Sequence, residues 1–436
     1  MLTWQHVKLS DGRHAPGRRV SPQGEQGVIE QPRAAPRHDH PAVVLDLSAN
    51  GIGIVRSLGR KGIQVFAYDT APKYKNGRTR YASCGGCPHP IYNERELLQF
   101  LLEVARKLPH KAVLLAGSDD YVSFISKNRE ALSDYYHFLL PDPALVEAVL
   151  DKRQTYELAV KHSVPCPKTW IIGKDDRLED LGQITFPCIL KPVDSADYRR
   201  RMNKKAIVVE REDQLKETYL RYREFGELMI QELIPGEETQ LYSVATLFDE
   251  DMNLLAVFTG QKLHQYPPYF GSGSLARSVK NEEITSAGVS FLKDLGFRGL
   301  GMLEYKLDTR DGKPKFLEIN PRTWYWHSLS QACGVDLPYM YYLSVTGQSP
   351  QPVTEHKAGI KWLYLVRDFL AFREKQRRGE VSFWQWIKNL SGKKEYALFA
   401  WDDPLPFFRI SSSFLWDAWK RKKSVQTSVN RGGPAS

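Results

Sequence analysis

The sequence has few cysteines and no long apolar run, and each shortage excludes a class of protein. Five cysteines in 436 residues are too few for a disulfide framework, so we expect a reducing, cytoplasmic setting. No apolar run approaches the roughly 18 to 20 residues that span a bilayer. The first residues also lack the apolar core of a secretory signal. We therefore expect neither a transmembrane segment nor a secreted scaffold.

Two short motifs are incomplete. Cys84 and Cys87 have the spacing of a redox pair or half of a zinc site, but no second such pair follows, and His89 is the only close histidine. Asn50-Gly51-Ile52-Gly53 has two glycines of a dinucleotide fingerprint and lacks the remainder. A metal or redox role and a nicotinamide site stay open as alternatives that the sequence does not favour.

Basic residues outnumber acidic residues, 61 to 51. The formal net charge is +10, which favours acidic partners such as a nucleotide, a carboxylate substrate, a nucleic acid or an anionic membrane surface. The hydrophobic content of 42% is that of an ordinary globular enzyme. No nucleic-acid recognition motif is present, so we expect small-molecule substrates and no nucleic acid. The sequence does not specify an oligomeric state.

The first half of the chain predicts a disordered tail and an α/β domain. Residues 1–40 are rich in Pro, Gly and Arg and have no apolar period, so we expect them to be disordered. Strand, glycine turn, helix and strand then follow from Pro41 and predict a doubly wound domain that ends near residue 143. Residues 144–162 predict one amphipathic helix, with Val160 on its apolar stripe.

A predicted hairpin over residues 299–322 brings ionisable side chains together. Its two runs alternate in polarity, and Asp311-Gly312 between them tolerates a tight turn. Side chains two apart on a strand share a face, so one face carries Glu318, Asn320 and Arg322, with Glu304 opposite. Carboxylate and amide oxygens suit Mg²⁺, and a guanidinium suits phosphate. An ordinary hairpin with a charged outer face is the alternative.

Basic residues gather around another strand. Residues 186–192 predict a buried strand that ends in Lys191, and a buried strand rarely ends in lysine without a use for it. Residues 193–205 form a basic loop without glycine, and they predict either a lid over phosphates or a solvated charged loop. The basic residues of this loop are Arg199, Arg200, Arg201, Lys204 and Lys205.

In this order, the motifs resemble those of the ATP-grasp superfamily of carboxylate-amine ligases, with a pattern similar to D-aspartate ligase-like enzymes. The resemblance covers roughly residues 41–348. It is carried by Leu150-Asp151-Lys152, Pro187 to Pro192, Ile230 to Glu238, Gly299 to Glu304, and Phe316 to Arg322. It implies an α/β protein with an ATP-grasp domain at residues 144–348, in which two α+β subdomains grip ATP. A Rossmann-like pre-ATP-grasp domain would precede it at residues 41–143.

The resemblance also implies a reaction and a set of roles. The expected reaction uses ATP and Mg²⁺ (or Mn²⁺) to activate a carboxylate as an acyl phosphate and joins it to an amine. The implied phosphate contacts are Lys152 and Lys191; adenine would be read by Gln231, Glu232, Leu233 and Ile234, and ribose held by Glu238. The implied metal ligands are Glu304, Glu318 and Asn320, and the implied catalytic residues are Arg322 and Lys262.

One departure and one alternative accompany the resemblance. Relatives usually have glycines in the loop that corresponds to residues 193–205, so side chains rather than backbone N–H groups would contact phosphate here. A non-catalytic, membrane-peripheral, nucleotide-binding scaffold is the rival function, and the complete set of metal ligands with Arg322 argues against it. Trp324 to His327 would either shape the acceptor site or serve as core aromatics.

Residues 349–423 exceed the implied ligase core. They contain six of the ten tryptophans, which are too many for a disordered tail, so we expect a mostly helical extension packed on the core. Phe414 to Lys423 joins aromatic to basic residues, which is also the composition of an interfacial helix and of peripheral membrane contact. Residues 424–436 predict a second disordered tail.

Overall fold

The computed structural model describes residues 36–71, 73–193 and 206–416, and those from His38 onward form one packed unit. Residues 1–35 and 424–436 of the predicted tails, and the basic lid residues, therefore lie outside the described residues. The end of the first predicted tail is described, and it packs on the core. The hydroxyl of Tyr342 donates to the carbonyl oxygen of His40 over 2.7 Å.

The first sheet lies where the sequence predicted a doubly wound domain. Its five parallel strands run in the order β3-β2-β1-β4-β5, which is the order expected for this architecture. The strands are β1 (Ala42–Leu45), β2 (Val65–Asp69), β3 (Ser83–Gly86), β4 (Ala112–Ala116) and β5 (Tyr136–His137). The helices are α1 (Ala49–Gly59), α2 (Lys73–Asn76), α3 (Glu94–Arg106), α4 (Asp119–Lys127) and α5 (Arg129–Ser133). Val43 and Val44 belong to different apolar clusters, because successive side chains of β1 face opposite sides of the sheet.

The glycines after β1 do not form the predicted turn. Helix α1 begins at Ala49, and the hydroxyl of Ser48 accepts from the backbone N–H of Asn50. A Cβ atom on Gly51 would lie 1.9 Å from the carbonyl oxygen of Asp46, and one on Gly53 would lie 2.6 Å from a ring nitrogen of His327. These glycines therefore allow close packing of the helix against Asp46 and His327.

The prediction of one helix over residues 144–162 is wrong. The chain forms α6 (Pro143–Leu150) and α7 (Lys152–Lys161), separated by Asp151 in an extended conformation. The carboxylate of Asp151 caps α7 by accepting from the backbone N–H of Gln154 over 2.8 Å. Val160, which the sequence placed on the apolar stripe, is exposed on α7.

A small antiparallel sheet follows, with the strand order β6-β9-β7-β8. Its strands are β6 (Thr169–Ile172), β7 (Cys188–Pro192), β8 (Ile207–Val209) and β9 (Leu228–Glu232). Helix α8 (Glu212–Tyr222) packs Leu215 and Tyr219 into the apolar cluster of this sheet. Short 3-10 helices occupy Leu178–Leu181, Arg223–Phe225 and Glu238–Gln240.

A seven-stranded sheet carries the predicted hairpin, and its strand order is β14-β13-β10-β11-β12-β15-β16. The strands are β10 (Leu241–Phe248), β11 (Leu254–Tyr266), β12 (Ser272–Ser278), β13 (Gly299–Leu307), β14 (Pro314–Asn320), β15 (Lys361–Leu363) and β16 (Lys394–Tyr396). The associated helices are α9 (Glu282–Asp294), α10 (Ser328–Ala332) and α11 (Leu337–Val345). Strands β13 and β14 pair antiparallel, and Gly312 has a φ of +69° in the turn.

The C-terminal extension is mostly helical, as predicted, with α12 (Leu365–Arg377), α13 (Phe383–Asn389) and a helix over residues 405–416. The sequence did not predict its two short strands, β15 and β16, which extend the seven-stranded sheet. Trp362 on β15 is fully buried, so the extension shares the core. In the described part of the chain, no helix is long and apolar enough to cross a membrane.

Candidate functional site

Lys191 lies at the end of β7, as predicted, and its ammonium group is held by neutral partners. It donates to the side-chain carbonyl of Gln231 over 3.0 Å and lies 5.7 Å from the ring centroid of Tyr156. Burial, reinforced by the nearby charge of Lys152, lowers the pKa of Lys191 to about 8, which the carboxylate of Glu318 partly opposes. No carboxylate within hydrogen-bond distance of this ammonium group is found among the described residues.

Lys152 is the first residue of α7 and lies beside the end of the same strand. Its ammonium group donates to the carbonyl oxygens of Pro192 and Val193, over 3.0 and 3.1 Å. It thus holds the strand end from which the basic loop departs. The two lysines that the sequence singled out are therefore neighbours.

Tyr156 joins the small sheet to the hairpin. Its hydroxyl donates to the carbonyl oxygen of Leu317 on β14 over 2.6 Å and lies 3.4 Å from the side-chain oxygen of Gln231 on β9. The hydroxyl is buried, and this raises the pKa of Tyr156, so it remains a donor. The contact brings the lysine end of the small sheet beside Glu318.

The segment from Gln231 to Ile234 connects the two sheets, and its polar side chains are engaged. The amide nitrogen of Gln231 donates to the hydroxyl of Thr169 over 2.8 Å, and Glu232 pairs with Arg310 over 2.7 Å. The carbonyl oxygen of Ile234 accepts from Lys306 over 2.8 Å, and burial lowers the pKa of that lysine. This segment is therefore fixed to the hairpin of the larger sheet.

The predicted acidic pair is brought together. Glu304 and Glu318 occupy directly opposed positions of β13 and β14, an arrangement in which two like charges repel. The ammonium group of Lys262 lies 2.6 Å from Glu304 and offsets part of this repulsion. The side-chain nitrogen of Asn320 donates to Glu318 over 3.1 Å. Four of the five residues that the sequence assigned to metal binding or catalysis occupy positions on one face of the sheet: Lys262, Glu304, Glu318 and Asn320.

A buried hydroxyl next to this pair has no hydrogen-bond partner among the described residues. Ser243 lies opposite Glu304 on the other neighbouring strand, β10. Its Oγ atom is inaccessible and accepts or donates no hydrogen bond in that part of the chain, although buried polar groups are usually satisfied. The face therefore presents two carboxylates, an amide oxygen and an orphan hydroxyl.

Arg322 lies just past the end of β14 and turns towards the first sheet. Its Nε and Nη2 atoms donate to the two carboxylate oxygens of Asp119, over 2.7 and 2.9 Å, and Nη2 also donates to Asn320 over 2.9 Å. Its Nη1 donates to the carbonyl oxygen of Thr323 over 3.0 Å. The bidentate fork predicted for phosphate is thus directed at a carboxylate in this structure.

Asp119 was not identified from the sequence, although it follows β4, where ligands of doubly wound sheets bind. The same edge holds Asp46 and Asp69, which are both buried. Burial and the neighbouring Asp69 raise the pKa of Asp46 to about 6. The only sequence signal for these residues was their position at the carboxyl ends of predicted strands.

The remaining sequence candidates lie elsewhere. Trp324, Trp326 and His327 are buried, so they serve as core residues rather than as an acceptor surface. Cys84 lies on β3, and all five cysteines are free. Burial raises the pKa of Cys87 to about 11, which disfavours a reactive thiolate. The described residues contain no group of three His, Cys, Asp or Glu side chains placed to hold a metal.

The part of the chain that carries the acidic pair is similar to a known protein family. Residues 149–324 match the family model described as the ATP-grasp domain. The chain is 28% identical over 303 residues to the D-aspartate ligase of Enterococcus faecium (strain Aus0004), a match that covers 64% of this chain and 70% of that protein.

Solved structures show the ATP-grasp fold as well. The L-amino acid ligase from Bacillus licheniformis aligns with a TM-score of 0.55 and 16% identity, over 71% of this chain and 75% of that chain. The ADP complex of N5-carboxyaminoimidazole ribonucleotide synthetase aligns with a TM-score of 0.56 and 12% identity. This alignment covers 72% of this chain and 79% of that chain. The ATP-grasp fold predicted from the motifs is therefore confirmed.

Proposed function

We propose that this protein is an ATP- and Mg²⁺-dependent ligase that activates a carboxylate as an acyl phosphate and couples it to an amine. The observation that carries the proposal is the placement of Lys191 beside the acidic pair on the hairpin. A half-buried ammonium group held only by neutral side chains among the described residues is costly, and bound phosphate would compensate it. The likeness to a D-aspartate ligase supports carboxylate and amine substrates.

The residues present fit a magnesium ion. Glu304, Glu318 and Asn320 supply hard oxygen donors, and the orphan hydroxyl of Ser243 lies next to them. When bound, Mg²⁺ would neutralise phosphate charge and polarise a phosphoryl oxygen. Lys262 offsets only part of the repulsion between the opposed carboxylates, so the arrangement still costs stability that a metal site would explain.

The nucleotide would lie between the two sheets. Lys152 and Lys191 would contact its phosphates, and the segment Gln231 to Ile234 would read the adenine. Glu238 would accept from the ribose hydroxyls. Its side chain is buried, and it follows that segment by four residues. Lys262 would balance the charge of Glu304 or contact the carboxylate substrate.

The proposed reaction has two steps. A carboxylate oxygen attacks the γ-phosphorus of ATP, and the bond to the β–γ bridging oxygen breaks, which releases ADP and forms an acyl phosphate. The amine nitrogen then attacks the carbonyl carbon, loses a proton and expels inorganic phosphate, which leaves the amide. The residues of this chain orient the carboxylate and the triphosphate, and they stabilise charge on the moving phosphoryl group.

Hydroxylamine tests the first step without knowledge of the natural amine. An acyl phosphate is electrophilic, so wild-type protein with ATP, Mg²⁺ and a suitable carboxylate should give a hydroxamate together with ADP. A panel of amino acids, including D-aspartate, and short acidic peptides provides the carboxylates. Glu318→Gln provides the matched inactive control. Folded protein that binds ATP but yields no hydroxamate with any member of a broad panel would refute the ligase proposal.

A non-catalytic nucleotide-binding scaffold is the second candidate, and one observation favours it. The fork of Arg322 is directed at Asp119, so it is not free for the γ-phosphate in this arrangement. The scaffold predicts ATP binding without hydroxamate, whereas the ligase predicts both. The same experiment therefore distinguishes the two functions.

A further inference from the structure

The helix over residues 405–416 has an apolar face on each side. Phe407 and Ile410 pack against the main core. The opposite side carries Leu405, Phe408 and Leu415, which are exposed. Phe408 follows Leu405 by three residues and Leu415 follows Phe408 by seven, which are spacings that place side chains on one side of a helix. Apolar side chains on the solvent side of a helix that is already docked are not needed for folding.

This outer face continues at both ends of the helix. Trp416 is exposed at the end of the described segment, and Trp401, just before the helix, is 91% exposed. We call Trp401, Leu405, Phe408, Leu415 and Trp416 together the aromatic patch. Contiguous exposed apolar side chains of this kind mark interaction surfaces.

Basic side chains border the aromatic patch. Lys73, Lys75, Arg78 and Arg80 are exposed on and after α2. Hydrogen bonds tie this segment to the patch: Nη1 of Arg409 donates to the carbonyl oxygen of Lys75 over 3.1 Å, and Nη1 of Arg80 donates to that of Asp402 over 3.2 Å. The patch and its basic border therefore lie together.

Two acidic residues at this face, Asp402 and Asp403, are already paired with arginines. Asp402 pairs with Arg60 over 2.9 Å, and Asp403 pairs with Arg56 over 2.9 Å. The charge that this face offers to a partner is therefore positive.

We infer that this face binds an anionic membrane surface. Trp and Phe side chains enter the headgroup region readily, and lysine and arginine around them attract anionic lipid headgroups. A free phosphate would need no exposed tryptophan. A second copy of this chain would place one basic border against another, and like charges would repel. The inference is independent of the proposed ligase chemistry.

Vesicle sedimentation with the full chain tests the inference. Wild-type protein should pellet with vesicles that contain phosphatidylglycerol, should not pellet with pure phosphatidylcholine, and should be released by salt. The double variant Trp401→Ser/Phe408→Ser and the double variant Lys75→Glu/Arg78→Glu should each bind anionic vesicles about tenfold more weakly or worse.

Matched controls separate the patch from general charge and hydrophobicity. Trp384→Ser removes another exposed tryptophan, on α13, and Lys161→Glu/Lys293→Glu makes the same charge change on exposed residues elsewhere. Both should bind as wild type, and all variants should keep the wild-type unfolding midpoint. The inference would be overturned if wild-type protein did not bind anionic vesicles. It would also be overturned if the control variants weakened binding as much as the patch and border variants do. If sedimentation velocity showed a dimer of the wild-type protein, and Trp401→Ser/Phe408→Ser dissociated it, the patch would bind a second copy of the chain and the inference would be overturned.

Discussion

The ammonium group of Lys375 lies 2.7 Å from a carboxylate oxygen of Glu238, and this contact joins the C-terminal extension to the proposed ribose position. The other oxygen of Glu238 accepts from the backbone N–H of Tyr269 over 2.7 Å. Lys375 lies on α12, outside residues 149–324 that match the ATP-grasp domain. The extension therefore contributes a charged side chain to the rim of the site.

We expect Lys375→Met to raise the KM for ATP about three- to tenfold while changing kcat little, because it leaves a buried carboxylate without its cation. If Lys375 positions Glu238 towards the ribose, the penalty should shrink with 2′,3′-dideoxy-ATP, which lacks both hydroxyls. Lys375→Arg should restore most of the affinity. Steady-state ADP release with the two nucleotides measures both effects.

Arg377→Met, which removes an exposed cation from the same helix, is the control and should leave both nucleotides unaffected. An equal penalty for ATP and for the dideoxy analogue would contradict the ribose contact. It would leave Lys375 with a structural role only.

The sequence predicted the hairpin of the site because all its determinants are local. Alternating polarity set the faces, and the turn at Asp311-Gly312 set the pairing, so Glu304 was expected opposite Glu318 and is found there. Lys375 and Asp119 could not be predicted in the same way. Each is far in sequence from its partner, Glu238 or Arg322, and no local period specifies such a contact.

Local patterns failed where a capping residue or tertiary packing overrode them. The apolar period of residues 144–162 continues through Asp151, but its side chain caps a new helix and divides the element. Gly51 and Gly53 resembled a turn, yet they allow α1 to pack against Asp46 and His327. The sequence shows the glycines, but it does not show which residues will pack against them.

Glu318→Gln should lower the rate of ADP release at saturating Mg²⁺ by roughly a hundredfold or more, which is the scale of a lost electrostatic contact in a transition state. The change removes one charge and one oxygen ligand from the proposed metal site. Circular dichroism and the unfolding midpoint should stay close to wild type, because the opposed carboxylates already repel.

Glu157→Gln is the matched control, because Glu157 is exposed on α7, and it should turn over at the wild-type rate. Wild-type ADP release by Glu318→Gln would refute the metal assignment. Weaker binding of Mn²⁺, followed by the paramagnetic relaxation of water, checks the assignment without turnover.

Nucleotide affinity should depend on the protonation of Lys191. Burial lowers its pKa from 10.5 to about 8, so the ammonium group that would contact phosphate loses its proton as the pH rises through about 8. ATP affinity should therefore fall above that pH, by up to about tenfold per unit. Calorimetric titrations from about pH 7 to about pH 9.5 measure the slope.

The same shift makes an opposite prediction for the stability of the free protein. Between about pH 8 and pH 10.5 the unfolded chain keeps the lysine proton that the folded protein has lost, so the contribution of Lys191 to the free energy of unfolding rises with pH. Lys191→Arg retains the charge and should flatten the fall in ATP affinity. A wild-type affinity that is constant over the range would disprove the phosphate contact.

Arg322→Lys should reduce hydroxamate yield sharply and spare ATP affinity, because one ammonium group cannot reproduce the donors that reach Asp119 and Asn320 together. Asp119→Asn should reduce the yield less, since it weakens the orientation of Arg322 without removing its charge. If Asp119 acts through Arg322, adding Asp119→Asn to Arg322→Lys should cost little more, and the two effects should not add. Single-turnover hydroxamate formation at saturating ATP measures this coupling, with Glu157→Gln as the control. Additive losses would show that Asp119 acts independently of Arg322, for example by contacting the amine substrate itself.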